Sequence, residues 1–117
     1  MNKTLIITVE PLDEEKRYQI VKFDGDFDKA GYTDVREQLN GSVKSFTGSK
    51  LVFDFTKLKF INSEGIGYLM EVHAHLVKED RQLIIAGANA HVKDVFGTIG
   101  LSEIITLFPS LDDFLKV

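Results

Sequence analysis

The sequence contains no cysteine, which excludes disulfides, thiolate nucleophiles and cysteine-based zinc sites. No segment approaches the roughly 20 consecutive apolar residues that cross a bilayer. The first ten residues form a strand-like pattern and lack the small-residue cleavage site of a signal peptide. We therefore expect a cytoplasmic protein that does not insert into a membrane, although such a domain can belong to a membrane-attached complex.

A basic charge balance is also absent. The chain carries 14 Lys and Arg against 18 Asp and Glu, a net charge of -4. A protein that binds a nucleic-acid backbone normally presents a basic face, so nucleic acid is not an expected partner. Glycines follow one another closely at 65–67 and 97–100, but neither stretch continues into the Gly-Lys-Ser/Thr of a phosphate-binding loop. ATP hydrolysis and a bound cofactor are not expected.

The 117 residues fit one compact domain, and we assign all of 1–117 to it. The first part of the chain predicts an antiparallel hairpin. Two strand-like segments, Leu5–Val9 and Tyr18–Phe23, flank the polar loop Pro11–Arg17. Its mixed charges are typical of a solvent-exposed loop.

The next segment predicts a helix. A turn at Gly25–Asp28 precedes apolar residues at three- and four-residue spacing, so we place the helix at Lys29–Asn40, ended by Asn40-Gly41. The segment Gly41–Lys50, rich in Gly and Ser, is predicted as the most flexible loop.

The centre of the chain predicts a buried strand at Leu51–Phe55, interrupted by Asp54, and then a helix from Ser63 to the charged residues that begin at Lys78. Phe53, Phe55, Leu69 and Val72 are assigned to the core.

The last part of the chain predicts a strand at Leu83–Ala86, a helix that ends near Gly97, a strand at Ile104–Phe108 and a short helix at Leu111–Leu115 capped by Ser110. The order β-β-α-β-α-β-α-β-α predicts an α/β fold with a mixed, mostly parallel central sheet and helices packed on it.

Ser63 lies where a buried strand leads through a short polar turn into a helix. Unpaired N–H groups and the helix dipole stabilise negative charge at such a point, so its hydroxyl is a natural site for a phosphate. Asn62 and Ser63 are also both good helix caps, which is the simpler role. Gly65 and Gly67 are interpreted as positions of close packing, either of the helix on the sheet or of a partner on the helix. Tyr68 and Met70 join the exposed surface if they point outward.

Catalytic and metal-binding roles have weaker support. Ser63 has Gly65 after it but Ile61 before it, so the Gly-x-Ser-x-Gly elbow of hydrolases is incomplete. His73 and His75 lie on different helix faces and cannot share a metal, and His75 is spaced to pair with Glu71. An acidic turn can hold a divalent cation but more often only forms the turn; its acids are Asp24, Asp26 and Asp28.

Two segments together resemble the STAS domain, the fold shared by anti-sigma factor antagonists and the tails of sulfate transporters. One is 52–67, ending Asn62-Ser63-Glu64-Gly65-Ile66-Gly67, where the family usually has Asp-Ser-Ser/Ala-Gly-Leu-Gly. The other is Gly25–Asp28, where the family has Gly-x-Leu-Asp. With the element order, the resemblance covers essentially the whole chain.

The resemblance implies partner switching. By this resemblance we expect the unmodified protein to bind an anti-sigma factor that is also a serine kinase and phosphorylation of Ser63 to end the binding. A serine phosphatase is a further candidate partner. Asp28 corresponds to the acid close to the phosphorylated serine. The expected partner-binding residues are Asp28, Asn62, Ser63, Glu64, Gly65, Ile66 and Gly67.

Two departures from the family pattern leave an alternative open. Asn62 replaces an aspartate, and Glu64 places a carboxylate beside the serine. Both favour a STAS subunit that assembles without phosphorylation in a transporter or signalling scaffold. A third hypothesis makes Ser63 an enzyme nucleophile.

Overall fold

The computed structural model describes residues 3–117. Its centre is one five-stranded sheet in the order β1-β2-β3-β4-β5. The β1 strand pairs antiparallel with β2, and every later pair is parallel. The predicted mixed, mostly parallel sheet is confirmed. The strands are β1 (Leu5–Val9), β2 (Tyr18–Phe27), β3 (Lys50–Ile61), β4 (Gln82–Ala86) and β5 (Thr106–Phe108).

Within residues 3–117, four α-helices and one 3₁₀ turn connect or follow the strands, and the α-helices come in the predicted order. They are α1 (Lys29–Ser45), α2 (Ser63–Lys78), α3 (Ala90–Ile99), the 3₁₀ turn Leu101–Glu103 and α4 (Leu111–Leu115). Ser110 caps α4 by accepting a hydrogen bond from the Asp113 N–H at 3.1 Å, as predicted. None of the helices in residues 3–117 combines the length and apolar character needed to cross a bilayer.

The sheet buries apolar side chains on both faces. The main core lies between one face and helices α1, α2 and α3, and it includes the four residues assigned to it from the sequence, Phe53, Phe55, Leu69 and Val72. On the other face, Phe114 of α4 covers a smaller cluster around Ile20, Val52 and Ile84. Because alternate residues of a strand face opposite ways, the near-continuous apolar run of β3 supplies both cores.

Helix α1 continues past the predicted end at Asn40-Gly41, so that boundary was wrong. Val43 is buried in the main core, one turn beyond Leu39, and extends the apolar stripe of the helix. A Cβ on Gly41 would meet no atom within 4 Å, so this glycine causes neither a turn nor a close contact. Burial of Val43 therefore outweighs the weak local stop signal.

The loop that was predicted at Gly41–Lys50 is shorter in the structure, where it comprises residues 46–49. Hydrogen bonds fasten this short loop at several points: the Arg81 guanidinium donates to the carbonyls of Phe46 (2.8 Å) and Gly48 (2.9 Å), and Arg17 donates to the Thr47 carbonyl (2.7 Å).

Strands β2 and β3 both run further than predicted. The segment predicted as a turn, Gly25–Asp28, forms the end of β2 and, at Asp28, the N-cap of α1. The pairing of β2 with β3 shifts register just before Asp24 and just after Gly25. A Cβ on Gly25 would lie 2.1 Å from the Thr4 carbonyl oxygen, and its φ of 123° suits glycine. The irregular pairing lets both strands continue to Phe27 and Ile61, which face each other.

The last strand is shorter than predicted. Leu101–Glu103 form the 3₁₀ turn, Ile104 is exposed, and pairing with β4 begins only at Thr106. The expected strand at the start of the chain is present at Leu5–Val9, while Met1 and Asn2 lie outside the described residues.

Candidate functional site

Two helices begin side by side at the carboxyl ends of β2 and β3. Because Phe27 and Ile61 pair, the residues that follow them, Asp28 and Asn62, are neighbours. The Asp28 carboxylate caps α1 by accepting from the Gly31 N–H at 2.8 Å. Carboxyl ends of parallel strands are where α/β proteins commonly bind ligands, because helix N-termini converge there.

Asn62 caps helix α2. Its side-chain oxygen accepts from the N–H groups of Glu64 (3.0 Å) and Gly65 (3.4 Å). Ser63 is therefore the first helical residue and not the cap. It is exposed, and its hydroxyl forms no hydrogen bond with any other residue in the described range 3–117. The capping role is taken by its neighbour, so the Ser63 hydroxyl stays accessible.

A surface pocket of about 250 Å³ opens beside Ser63, between α1 and α2. Its α2 wall includes Ser63, Gly67 and Glu71, which recur every four residues and so share one helix face. Glu64 also lines the pocket, and Tyr32 of α1 forms the opposite side. Tyr32 and Glu71 were not among the predicted site residues, although the four-residue spacing from Ser63 could have identified Glu71.

Tyr68 forms the inner part of this pocket and does not point outward, so it does not meet the condition under which it would join the exposed surface. It is buried, and its hydroxyl donates to the Asn40 side-chain oxygen at 2.8 Å. Its ring lies 5.1 Å from that of Tyr32. Burial raises the pKa of Tyr68 well above its ordinary value, so the hydroxyl remains a hydrogen-bond donor. Met70, the other candidate, is half-buried against the main core.

The two glycines of the turn have different environments. Gly65 is buried, and a Cβ there would lie 2.6 Å from the Phe27 carbonyl oxygen. It therefore allows α2 to approach the sheet closely, and it presents no surface to a partner. Gly67 is exposed, and a Cβ there would meet no atom within 4 Å.

The remaining predicted site residues divide between exposed and half-buried positions. Glu64 is exposed, whereas Asp28 and Asn62 are half-buried caps and Ile66 packs partly against the main core. The surface that can be reached from solvent at the start of α2 is thus centred on Ser63, Glu64 and Gly67.

The histidine and aspartate candidates do not form a metal site in the described part of the chain, where no group of three potential ligands comes together. The Nε2 atom of His75 lies 3.5 Å from the Oε1 atom of Glu79, which comes one helical turn later. His75 therefore pairs with Glu79 and not with Glu71, the residue that the spacing suggested. Asp28, the last acid of the predicted cluster, serves as the cap of α1.

Comparison with known protein families identifies the fold. Residues 11–114 match the model of the STAS domain. The chain belongs to the STAS domain family. The match covers both segments on which the resemblance rested and the whole pocket beside Ser63.

Several solved structures share the fold at low sequence identity. An anti-sigma factor antagonist from Mycobacterium paratuberculosis has a TM-score of 0.81 and 24% identity, covering 99% of this chain and 95% of that one. The phosphorylated Bacillus cell fate determinant SpoIIAA has a TM-score of 0.69 and 14% identity, covering 95% and 97%. A sulfate transporter family protein from Wolinella succinogenes has a TM-score of 0.69 and 18% identity, covering 81% and 79%.

Proposed function

We propose that this STAS domain, residues 1–117, is a cytoplasmic anti-sigma factor antagonist that acts by binding and not by catalysis. Its partner is an anti-sigma factor that is also a serine kinase, and the start of α2 is the binding surface. Family membership and the fold shared with the anti-sigma factor antagonist from Mycobacterium paratuberculosis support this proposal. The observation that carries it is the accessible Ser63 hydroxyl at the first position of α2.

Phosphorylation of Ser63 ends the binding, and a serine phosphatase restores it. A phosphoserine adds about -1.5 to -2 charges at neutral pH. At a helix N-terminus that charge stabilises the fold, because it meets unpaired N–H groups and the positive end of the helix dipole. In an interface the same charge has to be desolvated and is repelled by nearby carboxylates such as Glu64. The modified protein is therefore folded but does not bind.

The proposed contact residues belong to two groups. Ser63, Glu64 and Gly67 contact the partner directly, together with the exposed part of Ile66. Asp28, Asn62 and Gly65 act through the backbone, because the first two cap the adjoining helices and the third sets the distance of α2 from the sheet.

A second candidate function keeps the fold without the switch. In it the domain is a constitutive subunit of a transporter or signalling scaffold. Asn62 and Glu64, which depart from the usual STAS motif, favour it, as does the similarity to the sulfate transporter family protein. A nucleophilic role for Ser63 has less support, since no side chain in residues 3–117 is hydrogen-bonded to its hydroxyl as a general base would be.

The experiment that separates the two functions is intact-mass analysis with peptide mapping of the protein purified from its native cells. One added phosphate on Ser63 under some growth or stress conditions supports the switching antagonist. Unmodified Ser63 under every condition would favour the constitutive subunit. Ser63→Ala serves as the control, because it removes the phosphate acceptor and leaves the Asn62 cap in place.

The effect of the charge on the fold can be measured separately. We expect Ser63→Asp to melt, by circular dichroism, at the same temperature as the wild type or higher, because a carboxylate in the first helical turn is favourable. A variant that is unfolded where the wild type is folded would contradict a switch that works without unfolding.

A further inference from the structure

The packing of the fold does not explain why position 67 is a glycine. It lies in the second turn of α2, exposed, with no atom within 4 Å of a Cβ built on it. Glycine is among the least favourable residues inside a helix. Gly65, two residues earlier, is accounted for by its close approach to Phe27. What distinguishes Gly67 is that its bare backbone forms part of the pocket beside Ser63.

The chemistry of this pocket is acidic and aromatic. Glu64 and Glu71 supply two carboxylates, and no cationic side chain lines it. Among residues 3–117, no ion pair involves either glutamate. The ring of Tyr32 forms the opposite side, and the ring of Tyr68 forms the inner part. A ligand of complementary character carries a positive charge and a flat face.

An arginine guanidinium combines these properties. It is planar and permanently charged, it donates two parallel hydrogen bonds to a carboxylate, and it stacks on aromatic rings. A lysine ammonium is a compact charge that cannot form this bidentate contact. A side chain at position 67 would project into the space that the guanidinium needs. We propose that the pocket left open by Gly67 receives an arginine side chain of the protein partner. This inference rests on the proposed function, because it takes the start of α2 as the interface.

A phosphate on Ser63 is negative, and its charge alone would attract an arginine. The shape of the pocket explains how phosphorylation nevertheless opposes binding. Ser63 is one turn before Gly67 on the same helix face, so a phosphate on it shares the pocket with the incoming side chain. The phosphate takes up part of the space. It also adds to the charges of Glu64 and Glu71, and one guanidinium cannot neutralise all of them. Closing the interface would then bury uncompensated negative charge.

The test uses a small probe and needs neither kinase nor natural partner. N-acetyl-arginine amide is titrated into the ¹⁵N-labelled protein, and amide shifts are followed by NMR. The matched probe is N-acetyl-citrulline amide, which has nearly the same shape and no charge. We expect saturable shifts at Ser63, Gly67 and Glu71 with the arginine probe, and affinity at least five-fold weaker with the citrulline probe.

Two variants test the role of the glycine. Gly67→Ala should weaken the arginine probe at least five-fold, while Gly41→Ala, in a helix position that is equally open but does not line the pocket, should leave its affinity unchanged. Both variants should raise the melting temperature, by roughly 2–6 °C, because alanine replaces glycine in a helix. Because both variants are expected to be equally stabilised, weaker binding by Gly67→Ala alone cannot result from an effect on folding.

Equal affinity for the two probes, unchanged binding by Gly67→Ala, or the absence of saturable shifts at these residues would each overturn the inference. Those results would leave the mass-spectrometric test of Ser63 unaffected. Conversely, an unphosphorylated Ser63 in cells would remove the proposed switch without changing the binding of the arginine probe.

Discussion

At the scale of single residues, the start of α2 divides its tasks among adjacent positions. Asn62 satisfies the first N–H groups of the helix, Gly65 permits the contact with Phe27, and Ser63 and Gly67 remain on the surface. Helix capping and close packing thus fall to different residues from those that stay on the surface. Substitutions at neighbouring positions should therefore affect folding and binding separately.

Asn62→Ala should lower the free energy of unfolding by about 1 kcal/mol, because it removes the side-chain acceptor that caps α2. Urea denaturation of the purified variant measures this loss. Asn62→Asp is the matched control, since it retains an acceptor in the same place and should be close to the wild type. Equal stability of Asn62→Ala and Asn62→Asp would show that the cap contributes nothing.

At the scale of secondary-structure elements, β1 is one of the two edge strands of the sheet, and the residue just before it is hydrogen-bonded to α1. The Asp34 carboxylate on α1 accepts from the backbone N–H of Thr4 at 2.7 Å and from its hydroxyl at 3.2 Å. The backbone hydrogen bond, in particular, lowers the pKa of Asp34 below its ordinary value. The contact therefore depends on pH.

The direction of this dependence follows from the lowered pKa. An aspartate with a lowered pKa in the folded state stabilises the protein fully above the pKa of unfolded aspartate, about 3.9. The contribution is lost as the pH falls through the lower folded value. We expect Asp34→Asn to lose less stability than the wild type between about pH 5 and pH 3, measured by urea denaturation at each pH. Asp94→Asn, at an exposed position on α3, is the control; the same reduced pH dependence in it would contradict a specific role for Asp34.

At the scale of the whole molecule, the sheet separates two cores that have different relations to the candidate site. The main core lies under α1 and α2, the two helices that form the pocket, whereas the smaller core lies under α4 on the opposite face. Phe114 packs edge-to-face against Tyr18 and Phe108, with ring centroids 5.4 and 5.5 Å away. Damage to this smaller core should reduce global stability without altering the site.

Phe114→Ala should lower the free energy of unfolding by about 3 kcal/mol, because it removes a buried aromatic ring. Leu115→Ala, at the adjacent exposed position, should change it by less than about 0.5 kcal/mol. Urea denaturation gives both values, and the amide NMR shifts of Ser63 and Gly67 should stay those of the wild type in each variant. Shifts that move in Phe114→Ala would show that the two faces are coupled.

Across these scales, the features that depend on nearby residues were predicted well. Hydrophobic periodicity gave the order of the strands and helices, and cap residues gave the starts of α2 and α4 to within one position. The composition of the turn around Ser63, with the segment Gly25–Asp28, was sufficient to suggest the family that the comparison confirms. These signals are local because helices, strands and caps are decided largely within a few residues of the chain.

The features that the sequence alone did not determine depend on contacts between distant segments. Strand β3 continues to Ile61 because the irregular end of β2 pairs with it, and α1 continues past Gly41 because Val43 reaches the main core. Tyr68 turns inward because Asn40, on another helix, accepts its hydroxyl hydrogen bond. The pocket beside Ser63 likewise exists only where α1 and α2 meet, since neither helix encloses it alone.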